Sequence, residues 1–232
     1  SPFVAEVDAD YFVIPSPRLE DVFVKAGIPK EKLLPFGIPT SKPFHESRTP
    51  EEAKQELGLD PKKKYFLLSG GSIGVGDIND TIDELLTFIL SHKDYEILVL
   101  VGNNLHLKEN LEIAYKGVRP LHLIDPTDKV YDYLSACEVL IAKPGGLSST
   151  EAAVSQIPFL IITPIPGCED KNAQFFQDNG MAIWVKDVQN DLLVDLMKAL
   201  DPRERQRMIE ADKRVIDPLA ARKLVEFIEK RH

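Results

Sequence analysis

From residue 65 onward, short apolar runs rich in β-branched residues alternate with amphipathic segments, and this alternation constrains the fold more than any other feature. The predicted strands are YFLLS (65–69), YEILVLV (95–101), LHLI (121–124), EVLIA (138–142), PFLIIT (158–163) and AIWV (182–185). Between them, apolar residues recur at spacings of three and four, which predicts helices. Strands that are apolar along their whole length and joined by helices are typical of a parallel sheet covered on both faces. The sequence therefore predicts an α/β fold with a doubly wound parallel sheet.

The segment before residue 60 has a different organisation. DYFVIP (10–15) predicts a strand, a helix follows to about residue 26, and the proline-rich stretch 27–44 has the composition of a connector. Thr49, Pro50 and Glu52 form a capping-box signature, and Gly58 predicts the end of that helix. We expect residues 1–40 to be the tail of one domain with its linker and residues 41–216 to be a second, complete domain. The strand at 10–15 has no predicted partner in its own segment, so it should pair with an absent element or dock on the second domain.

Charge, hydropathy and cysteine content exclude several function classes. The chain has 28 Lys+Arg against 37 Asp+Glu, a net charge of −9, and its basic runs lie among carboxylates, which argues against a nucleic-acid partner. No run of roughly 18 apolar residues could cross a bilayer, and no secretion signal opens the chain. Cys137 and Cys168 are too few and too far apart for a disulfide framework or a metal site. These features predict a cytoplasmic protein.

Two loops that follow predicted strands have the composition of phosphate-binding loops. SGGSIGVGD (69–77) is rich in glycine, which exposes backbone N–H groups, and KPGGLSSTEAA (143–153) places serines at the start of a helix. Ligands of parallel sheets bind at the carboxyl ends of the strands, where both loops lie. We therefore expect them to share one diphosphate ligand. The structural alternative is that the glycines form tight turns and Ser148 caps a helix.

The loop PIPGCEDKNAQFF (164–176) is the third candidate. Glu169, Asp170 and Asn172 combine carboxylates with an amide, which suits vicinal sugar hydroxyls. The structural alternative is that Glu169 or Asp170 caps the next helix. Cys168 has no histidine near it in sequence and is interpreted as a structural or incidental thiol.

Two enzyme classes fit the first loop poorly. Gly70 to Gly74 match the G-x-S-x-G pattern of α/β-hydrolases with Ser72 as nucleophile, but no later histidine follows a late strand as a triad requires. The dinucleotide fingerprint G-x-G-x-x-G fails because Asn79 stands where its third glycine belongs.

In order and spacing, GIPTSKPF, SGGSIGVGD, VGNN and the stretch from Lys143 to Gly180 resemble the Rossmann-like C-terminal half of a GT-B glycosyltransferase of family 28. The resemblance covers almost the whole chain. It is strongest to the diacylglycerol glycosyltransferases of bacteria and plastids, which include processive diacylglycerol glucosyltransferases and monogalactosyldiacylglycerol synthases. It implies that most of an N-terminal domain is absent and that residues 217–232 are a C-terminal crossover helix; the alternative is a simple surface helix.

The resemblance implies a UDP-sugar site and assigns residues to its parts. The two phosphate loops would contribute Gly71, Ser72, Gly74, Gly145, Gly146, Ser148 and Ser149. Glu151 matches the carboxylate that binds the ribose hydroxyls, Ile124 and Asn103 lie near the uracil, and Glu169 with Asn172 match the pair that reads the sugar. Many relatives have an arginine before the asparagine of VGNN, where this chain has Asn103-Asn104.

The resemblance also implies how the donor is used. The expected reaction moves a hexose from a UDP-sugar to a lipid acceptor such as diacylglycerol, with inversion, no cofactor and no bound metal. The catalytic base, the acceptor site and the contact with the inner face of the cell membrane are expected in the N-terminal domain. The isolated chain should then bind UDP and transfer nothing. The other functions left open are a non-catalytic sugar-nucleotide-binding module, the serine hydrolase, and a UDP-N-acetylglucosamine epimerase, whose catalytic carboxylates and histidine find no match here.

Overall fold

The computed structural model describes residues 7–46, 48–69 and 78–231. Gly71, Ser72 and Gly74, assigned above to the first phosphate loop, lie outside the described residues, so that loop is not part of the structural account.

The described chain is built on a six-stranded parallel sheet. Its strands are β3 (Lys64–Ser69), β4 (Tyr95–Leu100), β5 (Leu121–Ile124), β6 (Val139–Ala142), β7 (Phe159–Ile161) and β8 (Ile183–Trp184), numbered after two short N-terminal strands, β1 (Phe12–Val13) and β2 (Leu33–Leu34). The spatial order is β5-β4-β3-β6-β7-β8, and every neighbouring pair is parallel. The predicted doubly wound sheet is confirmed, and each predicted strand falls on an observed one.

Helices cover both faces of this sheet, and two further helices, the first and the last, lie outside its two cores. In chain order the helices are α1 (Glu20–Lys25), α2 (Pro50–Leu57), α3 (Ile78–Ser91), α4 (Leu105–Ala114), α5 (Val130–Ala136), α6 (Gly146–Ser155), α7 (Asp170–Asp178), α8 (Val188–Leu200), α9 (Pro202–Val215) and α10 (Ala220–Glu229). Alternate residues of β3 enter different cores: Phe66 and Leu68 pack under α3 and α8, whereas Tyr65 and Leu67 pack with residues of α5, α6 and α7. Burial on both faces explains why the strands carry continuous apolar runs.

The N-terminal strand has a partner in the described chain, which corrects the prediction that its own segment offers none. β1 pairs in parallel with β2, so that Phe12 lies opposite Leu33 and Val13 opposite Leu34. Leu33 and Leu34 come from the proline-rich stretch that the sequence presents as a connector. Ile14, Ile28 and Leu33 form a small separate core beneath this pair, which supplies the apolar burial that an isolated strand lacks.

The stretch between the two sheets is held on α5. The Phe44 ring packs edge-on against Tyr131 with 5.6 Å between centroids, and the Tyr131 hydroxyl donates a hydrogen bond to the Glu46 carbonyl. Arg48 forms an ion pair with the largely buried Asp132. These contacts fix the path of the chain into α2, whose capping box at Thr49 and Glu52 is formed as the sequence predicts.

The last helix packs against the N-terminal segment. Phe227 of α10 contacts the rings of Tyr11 and Phe36, with centroid distances of 5.0 and 5.8 Å, and the Arg231 guanidinium lies over the Tyr11 ring. The expected division into residues 1–40, 41–216 and 217–232 stays a prediction. Among the described residues, no helix combines the length and the apolar sequence that a bilayer crossing requires.

One buried carboxyl group lowers stability at neutral pH. Asp212 on α9 is 2% exposed, its Oδ1 atom has no hydrogen-bond partner among the described residues, and burial raises its pKa to about 8. The folded state therefore favours the protonated acid. Since the unfolded chain ionises near pH 4, the Asp212 contribution to stability is full below that pH and is lost as the pH rises towards 8.

We expect Asp212→Asn to be more stable than the wild type by roughly 1–3 kcal/mol at pH 8, because the amide cannot ionise and the cost of an unpaired buried charge is removed. The difference should shrink as the pH falls towards 4. Urea unfolding at several pH values measures it. Asp195→Asn is the matched control, because Asp195 is also buried but accepts a hydrogen bond from Lys198 at 2.8 Å, so this change should destabilise the protein. Equal pH slopes for wild type and Asp212→Asn would contradict the assignment.

Candidate functional site

A cleft of about 470 Å³ opens at the carboxyl ends of the central strands. The strand order reverses between β3 and β6, and the helices that follow these neighbouring strands, α3 and α6, lie on opposite faces of the sheet, which is where open α/β sheets bind ligands. Its lining residues come from the ends of β3, β4 and β6, the loop after β5, and the starts of α5, α6 and α7. Of the predicted site residues, Asn103, Gly145, Ser148, Glu151 and Glu169 line this cleft.

The start of α6 gives the cleft an electropositive wall. Gly145 is the N-cap residue and offers no side chain to cap the helix, so the N–H groups of the first turn keep their hydrogen-bonding capacity for a ligand. The helix dipole adds a partial positive charge of about +0.5 at this end. The exposed Ser148 lies in this turn. A helix start of this kind can accept an anion, and the phosphate site expected from the loop composition stays a prediction.

A second glycine in this turn lies beside the N-terminal segment. A Cβ atom added to Gly146 would meet the Cδ1 atom of Ile38 at 3.7 Å. The start of α6 is therefore in contact with the chain that precedes α2.

Glu151 lies one turn into α6 and faces the same cleft. Burial raises the pKa of its carboxyl group. A carboxylate in a partly desolvated position gains from hydrogen-bond donors supplied by a ligand, and two neighbouring hydroxyl groups are donors of that kind.

The third loop lies beside α6. The Glu169 Oε2 atom accepts a hydrogen bond from the Ile165 N–H at 3.0 Å, and Glu169 occupies the N-cap position of α7 without capping it through its side chain. The Asn172 side chain donates to the Pro144 carbonyl at 3.0 Å. Glu169 thus presents its carboxylate to the cleft, while Asn172 ties α7 to the loop before α6 and does not line the cleft.

Three other predicted residues, Gly146, Ser149 and Ile124, also lie outside the cleft lining. Ser149 is fully buried, and its hydroxyl finds no hydrogen-bond partner among the described residues. Ile124 ends β5, and its carbonyl accepts the Val101 N–H at 3.4 Å. The three residues after Ile124, namely 125–127, line the cleft instead.

Sequence reasoning missed several lining residues. Lys143 and the loop 125–127 were not singled out, although each directly follows a predicted strand, the position that could have identified them. The Lys108 ammonium pairs with Asp125 at 2.5 Å.

Asn104, in the position next to Asn103, caps α4 by accepting the Leu107 N–H at 3.0 Å, which gives the second asparagine of VGNN a local structural role.

The described histidines lie away from the cleft. His45, His92, His106 and His122 do not line it, and His122 instead pairs with Glu96 at 2.7 Å. Across residues 7–46, 48–69 and 78–231, no cluster of three His, Cys, Asp or Glu side chains has the geometry to hold a metal ion.

The family model of the glycosyltransferase family 28 C-terminal domain matches residues 66–223. The chain belongs to this family. The match includes all six strands of the large sheet except the first two residues of β3, and it includes the lining of the cleft. The family expected from the loop motifs is thereby confirmed.

A relative of known name agrees with this classification. The chain is 27% identical over 230 residues to a processive diacylglycerol beta-glucosyltransferase of Bacillus cereus, and the alignment covers 94% of this chain and 58% of that protein. The chain therefore spans little more than half the length of that relative.

Solved structures share the fold. A putative UDP-N-acetylglucosamine 2-epimerase from Listeria monocytogenes superposes with a TM-score of 0.72 at 16% identity, covering 96% of this chain and 60% of the other. Anabaena HepE in complex with UDP and glucose superposes with a TM-score of 0.66 at 11% identity, covering 95% and 63%. At such identities these likenesses establish the fold alone, and they confirm the Rossmann-like, GT-B type of architecture.

The buried Ser149 hydroxyl generates a stability prediction. Because this hydroxyl is desolvated without a hydrogen bond, Ser149→Ala should raise the free energy of unfolding by about 1 kcal/mol, helped by the better helix propensity of alanine. Ser148→Ala, the same change on the exposed neighbour, should alter stability by less than about 0.5 kcal/mol. Denaturant unfolding of both variants measures the difference. Destabilisation by Ser149→Ala would mean that its hydroxyl has a partner.

Proposed function

We propose that this domain binds the UDP-sugar donor of a hexosyltransferase that transfers the sugar, with inversion, to a lipid acceptor, most specifically diacylglycerol. The observation that carries the proposal is the cleft at the reversal of strand order, where the uncapped start of α6 and the Glu151 carboxylate face one space. Family membership and the name of the Bacillus cereus relative support the reaction and the acceptor. The complex of Anabaena HepE with UDP and glucose supports a uridine nucleotide as ligand.

Each part of the donor has a fitting group in this proposal. The diphosphate binds the first-turn N–H groups of α6 together with Ser148. Glu151 accepts hydrogen bonds from the ribose hydroxyls, the uracil lies between Asn103 and the loop 125–127, and the Glu169 carboxylate binds hydroxyls of the hexose. Gly71, Ser72 and Gly74 complete the diphosphate site from the first loop.

The proposed reaction is a single displacement. The acceptor oxygen attacks the anomeric carbon, the bond from that carbon to the β-phosphate oxygen breaks, and UDP leaves with the electron pair. The acceptor proton passes to a base, which we expect in an N-terminal domain together with the acceptor site and the contact with the inner face of the cell membrane. In this proposal the helix dipole and backbone N–H groups offset the charge on the departing UDP, so no metal ion or other cofactor takes part.

Isothermal titration calorimetry with UDP tests the binding half of the proposal. We expect the chain to bind UDP and UDP-hexoses and, without an acceptor domain, to release no UDP in the presence of diacylglycerol vesicles. Since burial raises the pKa of Glu151, the affinity should fall on acidification at a higher pH than an ordinary glutamate would give. A folded chain that does not bind UDP would refute the site, and transfer by the chain alone would refute the expected location of the base.

A substitution at Glu169 tests the hexose contact. Glu169→Gln keeps an oxygen that accepts the Ile165 N–H but removes the charge, so it should weaken UDP-glucose or UDP-galactose binding by roughly 3- to 10-fold without weakening UDP binding. Asp170→Asn, the same loss of charge on the adjacent residue, is the matched control and should change neither. Equal losses for UDP and the UDP-hexose would contradict the assignment of Glu169 to the sugar.

Two experiments distinguish the alternative functions from the proposed one. A hydrolase with Ser72 as nucleophile would be labelled by a fluorophosphonate, whereas a donor-site serine would stay unlabelled. An epimerase, the activity named for the Listeria monocytogenes structure, would convert UDP-N-acetylglucosamine to its 2-epimer, and we expect no conversion.

A further inference from the structure

The charges that line the cleft are unbalanced for an anionic ligand. Three carboxylates, those of Asp125, Glu151 and Glu169, face it, and Lys143 is the only lysine or arginine among its described lining residues. A nucleoside diphosphate adds further negative charge, so its binding requires a cation or an equivalent set of donors. The partial charge at the start of α6 supplies only part of this requirement.

The Lys143 ammonium can supply the remaining positive charge. The Asp125 carboxylate pairs with Lys108 and Glu169 accepts the Ile165 N–H, whereas the Lys143 ammonium makes no ion pair or side-chain hydrogen bond with any described residue. Lys143 is partly buried. A partly buried cation without a counter-ion carries a desolvation cost that an anionic ligand would offset.

The backbone places Lys143 in the turn between the end of β6 and the start of α6. It directly follows the last residue of β6 and precedes the first residue of α6 by three positions. Pro144 restricts Lys143 to an extended backbone, the Gly145 N–H donates to the Lys143 carbonyl at 2.9 Å, and the Asn172 side chain donates to the Pro144 carbonyl. The lysine therefore leaves a fixed turn beside the helix N-terminus, and less conformational entropy is lost when it binds a ligand.

We propose that the Lys143 ammonium binds the diphosphate of the UDP-sugar and, in the complete transferase, neutralises charge on UDP as the bond to the anomeric carbon breaks. This inference rests on the proposed function and adds to it a cation that acts together with the backbone N–H groups of α6. Lysine offers three donors on a flexible stem, which suits the two phosphates of a substrate that becomes a leaving group.

The test compares ligands that differ only in phosphate content. Calorimetric titrations of uridine, UMP and UDP into wild type and Lys143→Met should show that the variant loses roughly 10- to 100-fold in affinity for UDP, the range for a charged hydrogen bond. Uridine affinity should change by less than about twofold. Lys143→Arg should recover part of the loss because it restores the charge.

Lys171→Met is the matched control, because it removes the same charge from an exposed residue of α7 that does not line the cleft. It should leave the affinity for all three ligands unchanged. Lys143→Gln serves as a second neutral variant, and thermal unfolding verifies that each protein is folded.

The outcomes separate the two proposals. If the wild type does not bind UDP, the proposed function fails and the role of Lys143 fails with it. If the wild type prefers UDP over uridine and Lys143→Met keeps the same preference, the donor site stands and only the assignment of Lys143 is overturned. A loss that is equal for uridine and UDP also overturns it, because a phosphate contact cannot weaken a ligand without phosphate.

Discussion

The parallel pairing of β3 with β4 on one side and β6 on the other is the constraint on which the site depends. All six residues of β3 pair with β4, from Lys64 opposite Tyr95 to Ser69 opposite Leu100, and its last four pair with β6. This register aligns the carboxyl ends of three strands at one edge. Because the helices that follow β3 and β6 lie on opposite faces of the sheet, this edge is the place where open α/β sheets bind ligands, and the cleft lies there.

The electrostatics of the cleft follow from the same register. It brings the start of α6 and Lys143 to an edge where Asp125, Glu151 and Glu169 also converge. Among the described lining residues, backbone donors and the Lys143 ammonium thus share one cleft with three carboxylates, a combination whose chemistry suits both phosphates and hydroxyl groups. Neither group of charges would select such a ligand alone, because carboxylates repel phosphates and a bare cation does not distinguish sugars.

Much of this site could be predicted from sequence, since glycines and a helix start after a strand have a local signature. Gly145 and Ser148 were located in this way, and Glu151 followed from its matching position in the family. Other assignments depended on which way a side chain points. Ser149 adjoins Ser148 in sequence, but the rotation of about 100° per helical residue turns it into the core. Asn172 has the right chemistry for a sugar, yet its amide is used by the Pro144 carbonyl.

The sequence by itself determined the doubly wound sheet, its six strands and the family, because apolar periodicity and loop motifs are local properties of the chain. The tertiary structure decided what depends on distant pairing. It pairs β1 with Leu33 and Leu34 within an apparent connector, and it lines the cleft with residues 125–127 and not with Ile124. It also brings Lys143 to the cleft, where its ammonium has no counter-ion among the described residues. The β1–β2 pairing and the surroundings of the Lys143 side chain arise from contacts between segments far apart in the chain, which no local pattern encodes, whereas the position of Lys143 and of residues 125–127 directly after strands is visible in the sequence.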